Sequence, residues 1–179
     1  LKVEEGTIAV TCFGLGAAIG TVVGGIRGQT IYNKPGGRHA IAVIMGVTTA
    51  LGALPGFWFI NTSDYGSHNL WLYFGCLVGG VLAGVTPPNV RAVLLNVNPP
   101  ETRGSMFAFY SQIDDVGKGG GPALVAGLIM ASGRRFAFNV AMTGWLVCGC
   151  VLLTLRGFID ADVVRAQEQV EDELDGVVA

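Results

Sequence analysis

The sequence predicts an all-α protein, a polytopic bundle of five transmembrane helices. Of its 179 residues, 51% are hydrophobic and only 13% are charged, whereas an ordinary soluble domain carries about 25% charged residues. The mean hydropathy of +0.54 agrees with this. Five apolar stretches are each near or above the length of about 20 residues that spans a bilayer. The predicted spans are residues 6–26, 40–60, 70–97, 105–131 and 136–156.

Together these spans form a predicted transmembrane bundle over residues 1–158, followed by a polar, acidic tail over residues 159–179. We expect the tail to form at most a weak amphipathic helix and to carry no chemistry. The chain starts at Leu1 almost directly before a span, which favours a piece of a longer protein.

The first span carries a glycine at every fourth position. This spacing puts the glycines on one face of a helix, where a second backbone can approach closely. We therefore predict a structural packing surface there. A short, basic, turn-rich stretch, residues 27–39, follows. The glycines are Gly16, Gly20, Gly24 and Gly28.

The second and third spans contain prolines. Pro55 is predicted to kink the second span or to lie near its end. Pro87 and Pro88 are predicted to interrupt the third, where freed carbonyls are tolerated only against protein or a wet cavity. Asn89 and Arg91 are therefore candidates to line an interior, with snorkelling to the interface as the alternative for Arg91.

The fourth span contains ionised residues where hydrocarbon is expected. Such groups must face protein or water. Lys118 follows Asp114 by four residues and Asp115 by three, so either pair can meet on one helix face. Glycines 119–121 and Pro122 are predicted to loosen the helix. Two roles are open for these charges. They either line a substrate cavity and couple transport to protons, or they form an internal ion pair that only positions the span.

The basic residues indicate which side is cytosolic. One side holds most of the lysines and arginines, and the positive-inside rule makes it, and the tail, cytosolic. The opposite side holds Lys2, Arg134 and Arg135, together with the loop 61–69, whose Asn61-Thr62-Ser63 is a glycosylation acceptor sequence. The cytosolic side is assigned Arg27, Lys34, Arg38, Arg91, Arg103, Arg156 and Arg165.

Other function classes find little support. All four cysteines fall in apolar runs and are expected to be small buried residues, and Cys148 and Cys150 lack the further ligands of a metal site. His39 and His68 lie in predicted loops. The sequence shows no nucleophile–base pair, phosphate loop, basic patch or selectivity filter, so we expect no enzyme, cofactor, metal, nucleic-acid partner or channel.

Two motifs resemble those of the major facilitator superfamily. Residues 24–29, with residues 37–39 after them, resemble its cytosolic loop motif, although Gly28 or Gln29 stands where that motif carries an aspartate. Residues 98–104 resemble its Pro-Pro-Glu-x-Arg-Gly turn. The resemblance covers residues 6–158 and implies the eighth to twelfth spans of a twelve-helix transporter. The motif residues are Gly24, Arg27, Arg38, Pro100, Glu101, Arg103 and Gly104.

Within the superfamily, residues 86–89 and 94–100 look like those of the Spinster-type lipid transporters, with residues 114–117 in place of a Gly-Asp element. The resemblance implies secondary transport of a small organic or lipid-like solute by alternating access. It also implies membrane lipids and the N-terminal half of the same chain as partners. A non-transporting scaffold or receptor of the same fold is the alternative. The implied cavity residues are Asn89, Arg91, Gln112, Asp114, Asp115 and Lys118.

Overall fold

The computed structural model of the protein describes residues 3–62 and 70–178, with side chains over 4–62 and 70–171. Within these ranges the chain forms helices and no strand, so the predicted all-α class is confirmed. A 3-10 turn, Leu155–Gly157, separates the last two helices. The helices are α1 (Val3–Tyr32), α2 (Gly37–Asn61), α3 (Leu70–Asn96), α4 (Pro100–Ser132), α5 (Arg134–Thr154) and α6 (Ile159–Val178).

Four helices in the described part of the chain are long and apolar enough to cross a membrane: Glu4–Tyr32, Gly37–Asn61, Leu70–Asn96 and Arg134–Gly157. The predicted fourth span, which lies in α4, is not among them. Helix α4 has 33 residues and is about 50 Å long at 1.5 Å per residue, so it is long enough to cross a membrane. The charged residues and glycines at its centre lower its apolarity instead.

The connections between helices are shorter than the sequence indicates. Gly36 and Gly133, with φ of 72° and 86°, reverse the chain in a region that favours glycine. Pro99 caps α4, and Pro100 occupies its first turn. The motif residues are accordingly helical: Gly24 and Arg27 lie within α1, Arg38 in α2, and residues 100–104 at the start of α4. Helices α1, α2 and α4 extend past both ends of their predicted spans into polar sequence.

The helices run continuously through the residues predicted to break them. Pro55 lies inside α2, Pro87 and Pro88 inside α3, and Pro122 inside α4. The expected interruption of the third span and the expected loosening near Pro122 are both absent from these described helices. A proline removes one backbone donor but leaves the other helical bonds, which neighbouring helices can support.

Helix α3 is the centre of the bundle. It packs along its length against α1 on one side and against α2 on the other, and α2 packs in turn against α5. Helix α4 packs on α5 and only slightly on α3, and none of its described residues is buried. The bundle therefore has a closely packed part, α1–α3 with α5, and one helix that lies largely uncovered.

Helix α6 is more strongly organised than the sequence predicts. Ile159, Val163 and Ala166 are buried, and Ile159 joins a core cluster with Ile41 and Met45. Their spacing of four and three residues places them on one helix face. The start of the tail is therefore a helix docked on the bundle rather than a weak element beyond it.

Candidate functional site

The glycines of α1 form a packing seam with α3. A Cβ atom added at Gly16, Gly20 or Gly24 would overlap the α3 backbone, and one added at Gly80 or Gly84 would overlap the α1 backbone. This confirms the structural role predicted from the glycine spacing. We call these five residues and Gly28, which faces Asn89, the glycine seam.

Asn89 is buried in the glycine seam, with 2% of its surface exposed. Its side-chain amide nitrogen donates to the carbonyl oxygens of Gly24 at 3.2 Å and Val85 at 2.7 Å. Its amide oxygen occupies the position that a Cβ at residue 28 would take, so a larger residue there would displace the Asn89 side chain. The structure thus places Asn89 between α1 and α3 and not with the uncovered polar residues of α4.

The carbonyl group freed by Pro88 also finds a partner in protein. In a regular helix the amide at position 88 would donate to Gly84. Here the Thr21 hydroxyl of α1, which also lies 2.8 Å from the Ala17 carbonyl, is 3.3 Å from the Gly84 oxygen. The sequence analysis allowed either protein or a wet cavity around the carbonyls freed by the prolines. At the Gly84 carbonyl the structure shows protein.

A cluster of hydroxyl groups holds α2 to α3 at the same level. The hydroxyl oxygens of Thr49 and Thr86 are 2.8 Å apart, and the Thr86 hydroxyl donates to the Met45 carbonyl at 3.2 Å. Thr49 is buried. Sequence reasoning missed this cluster, because isolated threonines in apolar runs give no distinctive spacing.

The charged residues of α4 are arranged differently. Lys118 donates to the Asp114 carboxylate at 2.5 Å, so the structure selects the pair separated by four residues. Asp115 and Gln112 are exposed and make no ion pair or side-chain hydrogen bond within the described part of the chain. Arg91 is exposed on α3 and equally unpaired there. The structure therefore joins two of the six predicted cavity residues and leaves Asn89 elsewhere.

Apolar side chains alternate with the charges on α4. Ile113 and Val116 are 58% and 74% exposed. The glycines beside them have nothing within 4 Å of the position a Cβ would take. This helix therefore presents carboxylates, an ammonium group, hydrocarbon and bare backbone together. We call the surface formed by residues 112–121 the α4 polar face.

One end of the bundle gathers most of the basic residues that the sequence assigned to one side. Asp160 of α6 lies 3.6 Å from the Arg38 guanidinium and 3.0 Å from the His39 imidazole. Arg103 donates from Nε to the Asn98 carbonyl at 3.1 Å. A groove of about 490 Å³, lined by residues of α1, α2, α4 and α6, lies between these groups. Asp160 was predicted to have no role and gave no signal beyond its acidic surroundings.

The opposite end carries a polar cluster around Asn61. Arg135 donates from Nε to the Asn61 side-chain oxygen at 3.0 Å and from a terminal nitrogen to the Asn61 backbone carbonyl at 2.9 Å. Asn139 exchanges hydrogen bonds with Asn61 at 2.9 and 3.2 Å. Arg135, which lies on the side that the positive-inside rule predicts to hold few basic residues, thus caps the C-terminal end of α2. The rest of the predicted glycosylation loop, with Ser63 and His68, lies outside the described residues.

The described residues contain no group of three histidine, cysteine or acidic side chains placed to hold a metal ion. All four cysteines are free. Cys12 and Cys76 are half-buried, but Cys148 and Cys150 are exposed on α5, so the expectation of four buried cysteines is wrong for these two.

Comparison with known proteins identifies a family along nearly the whole chain. A family model described as Major Facilitator Superfamily matches residues 2–176. No curated protein and no solved structure matches the chain. The family match includes α6, which the resemblance drawn from motifs alone had left out.

Proposed function

The chain belongs to the Major Facilitator Superfamily of membrane transporters, and we propose that it is part of a secondary active transporter working by alternating access. In this proposal it supplies the eighth to twelfth spans, and the N-terminal half of the same protein packs against it. Two such halves rock around a site near the middle of the membrane.

The observation that carries the proposal is the uncovered state of the α4 polar face. No residue of α4 is buried, although α4 holds two carboxylates and an ammonium group near its middle. Ionised groups at membrane depth face protein or water and not lipid. An aqueous cavity between the two halves provides that surrounding, whereas in the glycine seam the Asn89 amide nitrogen and the Thr21 hydroxyl already bond to helix carbonyls.

The chemistry of the α4 polar face favours an amphipathic solute. The Asp114–Lys118 pair and Asp115 offer charge, and Ile113 and Val116 beside them offer hydrocarbon. A small organic or lipid-like molecule with a polar head matches both kinds of surface. Asp115 is exposed and forms no ion pair or side-chain hydrogen bond within the described part of the chain, so in this proposal it is the carboxylate that is open to contact with the solute.

We further propose that the end bearing Arg38, Arg103 and α6 faces the cytosol. Its basic residues support this through the positive-inside rule. The contact of Asp160 with Arg38 and His39 fixes α6 at that end. A Spinster-like subtype is supported only by residues 86–89, 94–100 and 114–117.

A non-transporting scaffold or receptor of the same fold is the second candidate. Gly28 or Gln29 occupies the place of the aspartate in the cytosolic motif. Gly28 packs directly against the Asn89 side chain, which a larger residue at that position would displace. The segment therefore serves close helix packing, which favours a chain whose conformational motif has been lost.

The test is solute uptake by the full-length protein in proteoliposomes, using a short-chain fluorescent phospholipid and a set of labelled organic anions. We expect Asp114→Asn, Asp115→Asn and Lys118→Met to lower uptake of a transported probe by at least about tenfold, and Glu168→Gln on the exposed side of α6 to leave it unchanged. Uptake that keeps its pH dependence in both aspartate variants would exclude proton coupling through them. A wild type that moves no probe would favour the scaffold.

A further inference from the structure

A crevice opens between α1 and α2 near the basic end of the bundle. Helix α3 packs closely against both helices, whereas α1 and α2 make little direct contact. The space left between them measures about 190 Å³. Its floor is Val85 and Asn89 of α3, and its walls include Val23 and Ile31 of α1 and Ile44 of α2.

The exposed lining of this crevice is apolar. The Asn89 amide nitrogen donates to the carbonyls of Gly24 and Val85, and its amide oxygen lies beside Gly28. The volume is about six times the ~30 Å³ occupied by one water molecule in the liquid. A space of this size lined by hydrocarbon holds water poorly and accepts part of an acyl chain.

Arg27 is one of the residues that line the crevice. Val23, Arg27 and Ile31 are separated by four residues each and share one face of α1. Arg27 is exposed and makes no ion pair or side-chain hydrogen bond within the described ranges. It is also the first charged residue after the uncharged stretch 6–26. In a bilayer its guanidinium group therefore reaches the level of the lipid headgroups.

We propose that this crevice binds one anionic phospholipid of the surrounding membrane. The upper part of an acyl chain lies against Val23, Ile31 and Ile44, and the phosphate group accepts hydrogen bonds from Arg27. A planar guanidinium pairs with phosphate through two parallel hydrogen bonds. Charge complementarity favours an anionic lipid, because the Arg27 guanidinium lies near the apolar crevice at the level where lipid phosphate groups lie. The proposal is independent of whether the protein transports a solute.

The test is native mass spectrometry of the full-length protein. Phosphatidylglycerol or phosphatidylcholine with identical acyl chains is added to the protein in detergent, and the lipid that stays bound after the detergent is removed is measured. We expect the wild type to retain one phosphatidylglycerol in preference to phosphatidylcholine. Arg27→Gln should lower that preference about fivefold, the worth of one basic residue near an anionic surface. Arg27→Lys should keep most of it.

Two controls separate the crevice from the general charge of this end. Arg156→Gln removes an exposed, unpaired arginine at the same end and should keep the wild-type preference. Val23→Trp fills the crevice and should lower binding of both lipids, whereas Val22→Trp, at a neighbouring exposed position outside the crevice, should not. Equal losses in Arg27→Gln and Arg156→Gln, or unchanged binding in Val23→Trp, would overturn the proposal.

Discussion

Helices α1 and α4 are both glycine-rich and differ in their surroundings. Both are rich in glycine, and polar groups lie near the middle of each. In α1 the glycines bring the backbone of α3 into contact, and Asn89 and Thr21 bond to the carbonyls there. In α4 the glycines from Gly117 to Gly121 have nothing within 4 Å of the position a Cβ would take, and Lys118 pairs with Asp114, one turn earlier on the same helix.

The difference shows that a glycine-rich polar segment in a membrane has two distinct uses. In the glycine seam the small residues allow the two backbones to touch. The side chains of Asn89 and Thr21 donate hydrogen bonds to carbonyls that lipid could not satisfy. On the α4 polar face the glycines and the charged side chains have no neighbouring helix against them in the described part of the chain, so charge and backbone are exposed. The first arrangement stabilises the bundle by itself, whereas the second requires water, solute or another part of the protein.

The largest expected effect comes from adding bulk to the glycine seam. A leucine at Gly20 would overlap the Val81 backbone, and overpacking against backbone costs about 3 kcal/mol or more. We expect Gly20→Leu to abolish the monodisperse peak in size-exclusion chromatography in detergent. Gly120→Leu on α4, which meets nothing within 4 Å, should preserve it. Similar profiles for both variants would contradict the contrast between the two helices.

A smaller effect is expected where an amide is removed from the glycine seam. Asn89→Ala deletes two buried hydrogen bonds and leaves a small void, at a cost of about 2 kcal/mol. Gln112→Ala on the α4 polar face should change the free energy of unfolding by less than about 0.5 kcal/mol. Reversible unfolding in mixed micelles measures both. Equal destabilisation by the two substitutions would show that α4 is covered as closely as α3.

The sequence predicted the existence of the glycine seam but not its partner. A repeat of four residues fixes one helix face, so the role of Gly16, Gly20 and Gly24 followed directly. Gly80 and Gly84, which complete the contact, are also four residues apart, but neither spacing shows which helix the other packs against. Pairing of two helices depends on their mutual register, which periodicity within one helix does not contain.

The sequence placed Asn89 and the α4 charges in one class, and the structure separates them. Both are polar groups at membrane depth, and the physical rule that they must meet protein or water does not say which. Asn89 meets protein because Gly28 leaves room for it. For α6, Val163, Val164, Val170 and Leu174 gave only a weak amphipathic pattern in an acidic tail. The docking of Ile159 on Ile41 and Met45 is what buries one face of this helix.

The polar cluster around Asn61 should show an intermediate effect. Arg135 bonds both the side chain and the terminal carbonyl of Asn61, across 74 residues of sequence. We expect Arg135→Gln to lower the free energy of unfolding by about 1 kcal/mol, because the interaction of a cation with a helix C-terminus is lost at an exposed site. Arg134→Gln, which removes a neighbouring exposed arginine without such bonds in the described ranges, should have no measurable effect. Equal losses would assign the effect to net charge.

The smallest effect on stability is expected from the ion pair of α4. If the α4 polar face lines a wet cavity, solvent screens the contact between Asp114 and Lys118, as it does for exposed pairs one turn apart. Asp114→Asn, Lys118→Met and the double variant should each change the melting temperature of the full-length protein by less than about 2 °C. Differential scanning fluorimetry, with Glu168→Gln as the matched surface control, measures this.

The same variants distinguish the two roles that the sequence left open for this pair. A pair that only positions the helix must be shielded from water, so removing one partner would leave an uncompensated buried charge and lower the melting temperature strongly. The double variant would then recover much of that loss. A pair that serves solute or proton binding leaves stability nearly unchanged and lowers uptake in every variant. A fall of more than about 5 °C in the single variants with recovery in the double variant would place the pair with the glycine seam, among the contacts that hold the bundle together.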